Sequence, residues 1–220
     1  MKLLLTSCGV VNESIKNELK RMIGKENLEG IKMLYCTTAS NYEGGDMSGW
    51  LLDNLNILKE LGFQIDICDL NGITREMCIK RLENAEVFFF EGGNPEWLYN
   101  CLINKSLKEK LLELLKDRIW IGASAGSIVL CPTIVNSVQN LFDETIENFA
   151  IEGLNFVPFQ FVPHLNNEYF PKIKIENIKR EKENLLEIDG KDVYVVDDNG
   201  AISVVDGKIN IISEGKSYKI

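Results

Sequence analysis

The sequence predicts an α/β protein, a three-layer sandwich in which a mostly parallel central sheet is covered by helices on both faces. Three observations carry that expectation. Short apolar runs alternate with amphipathic stretches through roughly the first 130 residues, joined by short connections. Two of the apolar runs end in glycine-rich turns, Gly92-Gly93 and Gly122-x-x-x-Gly126. Near the C-terminus, Asp206-Gly207 separates two apolar runs, the signature of a two-residue β-hairpin.

The elements follow in order. Leu3 to Thr6 is a short strand closed by Ser7-Cys8-Gly9. Ile15, Leu19 and Met22 recur at helical spacing within 12–23. Ile31 to Cys36 is a second strand, followed by a polar loop from Thr37 to Asp46. Trp50, Leu51, Leu55, Leu58 and Leu61 mark an amphipathic helix over 47–61 that stops at Gly62. Phe63 to Leu70 alternates as a third strand, and Thr74 caps a helix that runs to Asn84. Val87-Phe88-Phe89-Phe90 is a buried strand whose turn, Glu91 to Pro95, opens another helix with proline in its first turn. A leucine-rich helix over 106–116 leads to the strand Ile119-Trp120-Ile121. The last third changes character. Phe159 to His164 is extended, 168–186 reads as a charged helix, and short strands follow at 193–196, 201–205 and 208–212. One domain over 1–220 is expected, with no repeat or linker.

Composition excludes several function classes. A net charge of −9 argues against nonspecific nucleic-acid binding, which needs a basic footprint. No apolar run approaches the length of a membrane span, and the first residues read as a strand rather than a leader, so a cytoplasmic enzyme is the default. The six cysteines form no metal-finger spacing and read as reduced small hydrophobes. With one histidine in the chain, no metal site and no cofactor are expected.

The chemistry concentrates at Gly122-Ala123-Ser124-Ala125-Gly126, directly after a strand. A serine there sits on a tight strand-to-helix bend that bulky neighbours would obstruct. Serine is a weak nucleophile and needs an adjacent base, which in turn needs an orienting group. His164 is the only imidazole available. Candidates for the carboxylate are Asp197 and Asp198, on the turn between two late strands, and Asp143 or Glu144 upstream. The Ala125 amide is one natural oxyanion donor, and a glycine of the Gly92-Gly93 turn is the other. Blander readings exist for each. Gly92-Gly93 could be a phosphate cradle, although no P-loop lysine follows. Asp197-Asp198 could be a solvated turn, and 172–183 a solvated helix face. Trp50 and Trp97 fit helix-face core packing better than a substrate platform.

Together these residues resemble the peptidase E (aspartyl dipeptidase) family of serine peptidases, relatives of cyanophycinase. The resemblance rests on Phe90-Glu91-Gly92-Gly93-Asn94, on Gly122 to Ser127, on Cys131-Pro132-Thr133 and on Val162-Pro163-His164, and it spans essentially the whole chain. It implies a class I glutamine amidotransferase-like fold, with Ser124 as nucleophile, His164 as base, and Gly93 and Ala125 as oxyanion donors. Of two placements implied for the acid, one falls on Asp198, with Asp197 in reserve. The other falls on Gln139, which is no carboxylate. Aspartyl dipeptidases are expected to read the substrate carboxylate with an arginine. Here Ile178 stands at that point, with Lys179 and Arg180 beside it.

The function expected is therefore hydrolysis of short peptides, dipeptides with N-terminal aspartate among them, through a Ser-His-acid triad and an acyl-enzyme. Asn94 and Arg180 are substrate-binding candidates, and loop 37–46 and segment 133–150 are the expected walls. The expected partner is a short peptide, with no nucleic acid and no membrane, and a homodimer remains an open option. Two alternatives use the same fold: an amidotransferase-like or esterase hydrolase, and a small-molecule-binding homologue that has lost catalysis.

Overall fold

A computed structural model gives the architecture and describes residues 1–42, 48–134, 141–142, 152–186 and 192–220. Ten strands are described: β1 (Lys2–Thr6), β2 (Lys32–Cys36), β3 (Gln64–Cys68), β4 (Val87–Phe90), β5 (Ile119–Ala123), β6 (Gln160–Val162), β7 (Val193–Val196), β8 (Gly200–Val205), β9 (Lys208–Ser213) and β10 (Ser217–Lys219). The helices are α1 (Glu13–Ile23), α2 (Ser48–Glu60), α3 (Arg75–Asn84), α4 (Pro95–Asn104), α5 (Lys108–Leu114), α6 (Ala125–Ile128) and α7 (Ile175–Leu186).

The main sheet has the order β3-β2-β4-β5-β1-β8-β9. Its first five strands are parallel, and the β8–β9 hairpin adds antiparallel to β1. Successive side chains of a strand point to opposite faces, so each buried strand feeds two cores. Leu4, Met33, Tyr35, Phe89 and Ile121 pack with Ile15 and Leu19 of α1 and Leu58 of α2. Leu3, Leu34, Phe88, Phe90 and Trp120 pack on the other face with α3, α4, α5 and α6. Local chemistry sets the helix ends. Asn12, Thr74 and Asn94 accept N-cap bonds, and Gly24 closes α1 in the left-handed conformation.

The final third departs from the sequence expectation in two places. A second sheet, β10-β7-β6, stands apart from the main one, and its β10 strand has no counterpart among the expected elements. The helix expected over 168–186 starts only at Ile175. Pro171 lies in the stretch before it, and proline disfavours helix at the residue it follows. Beneath this sheet, Val162, Ile173, Ile178, Val193 and Val195 form a third apolar cluster.

The C-terminal ends of β1, β4, β5, β6 and β7 are followed by Ser7, Glu91, Ser124, His164 and Asp198. Ligands of open α/β sheets bind at such ends. Trp120 ties the two glycine-rich turns at this edge together. Its ring stacks on Phe90 at 3.6 Å, and its Nε1 donates to Gly126 O at 3.0 Å. Trp120→Ala should therefore cost about 3–5 kcal/mol, read as a lower urea midpoint with an unchanged slope.

Candidate active site

Ser124 holds φ 45° and ψ −108°, a conformation that side chains rarely adopt. Neighbouring close approaches over-determine it. A Cβ on Gly122 would come within 2.4 Å of Gly126 O, and one on Gly126 within 2.0 Å of Phe90 O. Only glycine fits either position. The Ser124 N–H donates to Thr6 O and Ser7 O at 3.1 and 3.0 Å, extending the β1–β5 ladder by one residue. The Ser127 hydroxyl, within 2.9 Å of Thr6 O and 2.8 Å of Gly122 O, pins the far side of the bend.

Parallel pairing of β6 with β7 brings the next two side chains together. Val162 pairs with Val195, so His164 and Asp198 leave neighbouring strand ends on the same side of the molecule. His164 also has a positive φ, 64°, which turns its ring back toward the main sheet. Its Nε2 lies 2.9 Å from Ser124 Oγ and its Nδ1 lies 2.6 Å from Asp198 Oδ1. Asn167 Nδ2 donates to the other Asp198 oxygen at 2.5 Å. Burial opposes ionisation of Asp198. The hydrogen bonds from His164 and Asn167 and the His164 charge outweigh it and hold the carboxyl well below the usual carboxylate range.

Ser7 has no counterpart among the expected site residues, yet it joins every part of the cluster. Its hydroxyl donates to Asp198 Oδ1 at 2.9 Å and accepts the His164 N–H at 2.9 Å. Cys8, beside it, lies 3.8 Å from His164 Nδ1 through Sγ. Burial raises the Cys8 thiol pKa well above its ordinary value, with Asp198 adding to the effect. Cys8, His164 and Asp198 are the one group of three metal-ligating side chains found close together among the described residues. Nothing in the sequence marked Ser7, because a serine after a strand is ordinary.

The remaining candidates divide. Gly93 follows Glu91-Gly92, with φ 127°, and a Cβ there would strike Ala39 O at 2.4 Å. Among the described residues, the Gly93 and Ala125 N–H groups meet no acceptor. Asn94 lines the cleft, and its Oδ1 caps α4 by accepting from Trp97 N at 2.8 Å. Asp197 turns away and accepts from Asn199 N at 3.0 Å and from Lys216 N. Asp143, Glu144 and Gln139 lie outside the described residues. Arg180 does not line the cleft. It is exposed on α7 and pairs with Glu181 at 3.4 Å. Ile178 is fully buried in the third apolar cluster. The core-packing expectation for Trp50 is corrected. The residue is 39% exposed and, from the first turn of α2, lines the cleft.

Residues 3–212 match the model of peptidase family S51. The chain belongs to this family. Family S51 comprises serine peptidases, and several similar proteins are named peptidase E. A peptidase E of Nostoc sp. is 31% identical over 74% of this chain and 65% of its own length. The chain thus spans slightly under two thirds of that relative. An uncharacterised peptidase of Listeria monocytogenes is 24% identical over 68% of this chain and 73% of its own. Two crystal structures share the family fold. One, described as a peptidase E protein of L. monocytogenes, has a TM-score of 0.75 at 20% identity and covers 96% of this chain and 98% of its own. The other, a peptidase from an acI-B1 actinobacterium, has a TM-score of 0.67 at 19% identity and covers 100% and 93%. The glutamine amidotransferase-like α/β fold that the resemblance implied is therefore the fold of this family member. No helix among the described residues is long and apolar enough to cross a membrane.

Behind the serine turn this family member buries a second acid. Glu91 is 1% exposed. Its Oε1 accepts from Gly92 N at 2.9 Å, Asn54 Nδ2 lies 3.2 Å from both oxygens, and the Tyr35 hydroxyl bonds Oε2. Burial pushes the carboxyl up to about 8 from 4.5, against the pull of the Gly92 N–H. Between those values the native state holds a proton that the unfolded chain releases. The contribution of Glu91 is thus complete below pH 4.5 and is lost as pH rises through about 8. Asp198 works in the opposite sense, stabilising above pH 3.8 and ceasing to do so as pH falls below its depressed value. Urea unfolding should show stability declining from about pH 5 to about pH 8.5, with Glu91→Gln flattening the slope.

Proposed function

We propose that this chain is a serine peptidase acting on short peptides through an acyl-enzyme, with Ser124 as nucleophile, His164 as base and Asp198 as acid. The observation that carries this reading is the relay from Ser124 Oγ to His164 Nε2 at 2.9 Å and from His164 Nδ1 to Asp198 Oδ1 at 2.6 Å. An ionised Asp198 holds the proton on Nδ1. That leaves the Nε2 lone pair free to accept the serine proton. As Oγ attacks the scissile carbonyl carbon, its proton passes to Nε2 and the carbonyl oxygen becomes an oxyanion. The Gly93 and Ala125 N–H groups are the donors this reading assigns to it. Collapse of the intermediate breaks the C–N bond, and His164 returns the proton to the leaving amine. A water then repeats the sequence on the acyl-serine.

Substrate size follows from the cleft. Its volume of about 660 Å³ is of the order that encloses a small ligand, so a dipeptide fits and a folded chain does not. Asn94 lines this space as the substrate-binding candidate. The binding-only alternative rests on Gln139 at one placement of the acid, and the carboxylate of Asp198, 2.6 Å from His164 Nδ1, supports the catalytic reading over it. An esterase or amidotransferase-like hydrolase would use the same three side chains, and comparing peptides with esters separates the readings.

A fluorophosphonate should label wild-type protein at Ser124, and Ser124→Ala and His164→Ala should abolish labelling and peptide cleavage. Asp198→Asn should lower kcat by about 10³–10⁴-fold, while Asp197→Asn changes it little. Normal peptide hydrolysis by Ser124→Ala would dismiss the mechanism.

A further inference from the structure

Among the described residues, no lysine or arginine lines the cleft around Ser124. Its lining residues come from four stretches of sequence, 3–15, 33–58, 82–104 and 119–171. None of these stretches contains a lysine or arginine. The cations nearest in sequence to the histidine segment lie on or just before α7. Arg180 is exposed there and paired with Glu181, and Lys179 is also exposed.

The neutral donors of the cleft are largely committed. Asn54 Nδ2 serves Glu91, Asn167 Nδ2 serves Asp198, Ser7 Oγ serves Asp198, and Ser40 Oγ serves Thr37 O. An acidic substrate side chain entering this space would shed water and gain no lysine or arginine partner among the described lining residues. An ammonium or guanidinium side chain fares no better. Glu91 is saturated by its three donors, and Asp198 is held by His164, Ser7 and Asn167.

What the cleft offers instead is aromatic surface. Phe170 stacks on the His164 ring at 4.9 Å, and Phe142 meets Phe170 edge-on at 5.2 Å. Tyr169 and Trp50 line the same space and are exposed, at 80% and 39%. Trp50 lies on the same side of Gly92 as the nucleophile. A Cβ built on Gly92 would lie 3.4 Å from Ser124 Cβ and 3.9 Å from Trp50 Cζ3, so the indole edge and the serine side chain both border the space over that glycine. Exposed aromatics at the mouth of a cleft gain by burial against an apolar side chain.

We infer that the enzyme selects peptides whose residue beside the scissile bond is large, apolar and uncharged, with Trp50 as a specificity-determining wall, and that it discriminates against aspartate and glutamate there. The inference rests on the peptidase reading above and names its substrate class.

The test is a dipeptide panel, X-Ala with X as Phe, Leu, Ala, Asp, Glu, Lys and Arg, run beside fluorophosphonate labelling of the same preparations. Phe and Leu should exceed Asp and Glu in kcat/KM by about tenfold or more, the scale one pocket contact supplies. In Trp50→Ala the ratio of Phe-Ala to Ala-Ala should fall about tenfold, mainly through KM, and Trp50→Phe should restore most of it. Should Trp50→Ala lose labelling, the wild-type panel decides alone. Preference for Asp, Glu, Lys or Arg overturns the specificity and leaves the peptidase reading standing. So does an unchanged Phe-to-Ala ratio in a labelled Trp50→Ala. Labelled protein that cleaves none of the panel also overturns the specificity. Absence of labelling in wild type overturns the peptidase reading itself.

Discussion

His164 Nδ1 meets Asp198 Oδ1 at 2.6 Å because β6 and β7 are parallel neighbours in a small sheet of their own. Everything proposed for the site depends on that contact. The carboxylate fixes which ring nitrogen carries the proton, and the other nitrogen then faces the serine as an acceptor. The main sheet supplies the nucleophile and the small sheet supplies the base and the acid. Ser7, at the end of β1, bonds both His164 and Asp198 and so links the two units. A hydroxyl there does what a second carboxylate could not, since it both donates and accepts.

Strain at the site is held by packing. Ser124 and His164 both have positive φ, which non-glycine residues adopt at a cost of about 1–3 kcal/mol. Around Ser124 the cost is met by backbone contacts so close that Gly122 and Gly126 admit no side chain. Behind it, Glu91 and Tyr35 fill the space beneath the turn with a hydrogen-bonded buried pair. The nucleophile's position is thus a property of the sheet edge rather than of a mobile loop.

The legible parts of the sequence were those where one residue type is forced by local geometry. Gly-x-Ser-x-Gly after a buried strand announces its bend, and alternation of strands and helices announces the parallel sheet. A lone histidine could be paired with the serine by elimination. The illegible parts depend on long-range pairing. Ser7 and Asn167 follow from which strand ends meet, the preference for Asp198 over Asp197 comes from the resemblance rather than from local pattern, and short polar strands such as Ser217–Lys219 carry little pattern of their own. Trp50 was misread for a related reason. Helical periodicity shows which face a residue occupies, but not that the face borders a cleft rather than the core.

The most direct measurement uses the fact that the chain holds one histidine. Imidazole ¹⁵N NMR of the folded protein near neutral pH reports a single ring without assignment by mutation. The account predicts a proton on Nδ1, shifted far downfield by its bond to Asp198, an unprotonated Nε2, and loss of the downfield proton in Asp198→Asn. A ring protonated at Nε2, or one averaging both tautomers as a free imidazole does, would contradict it.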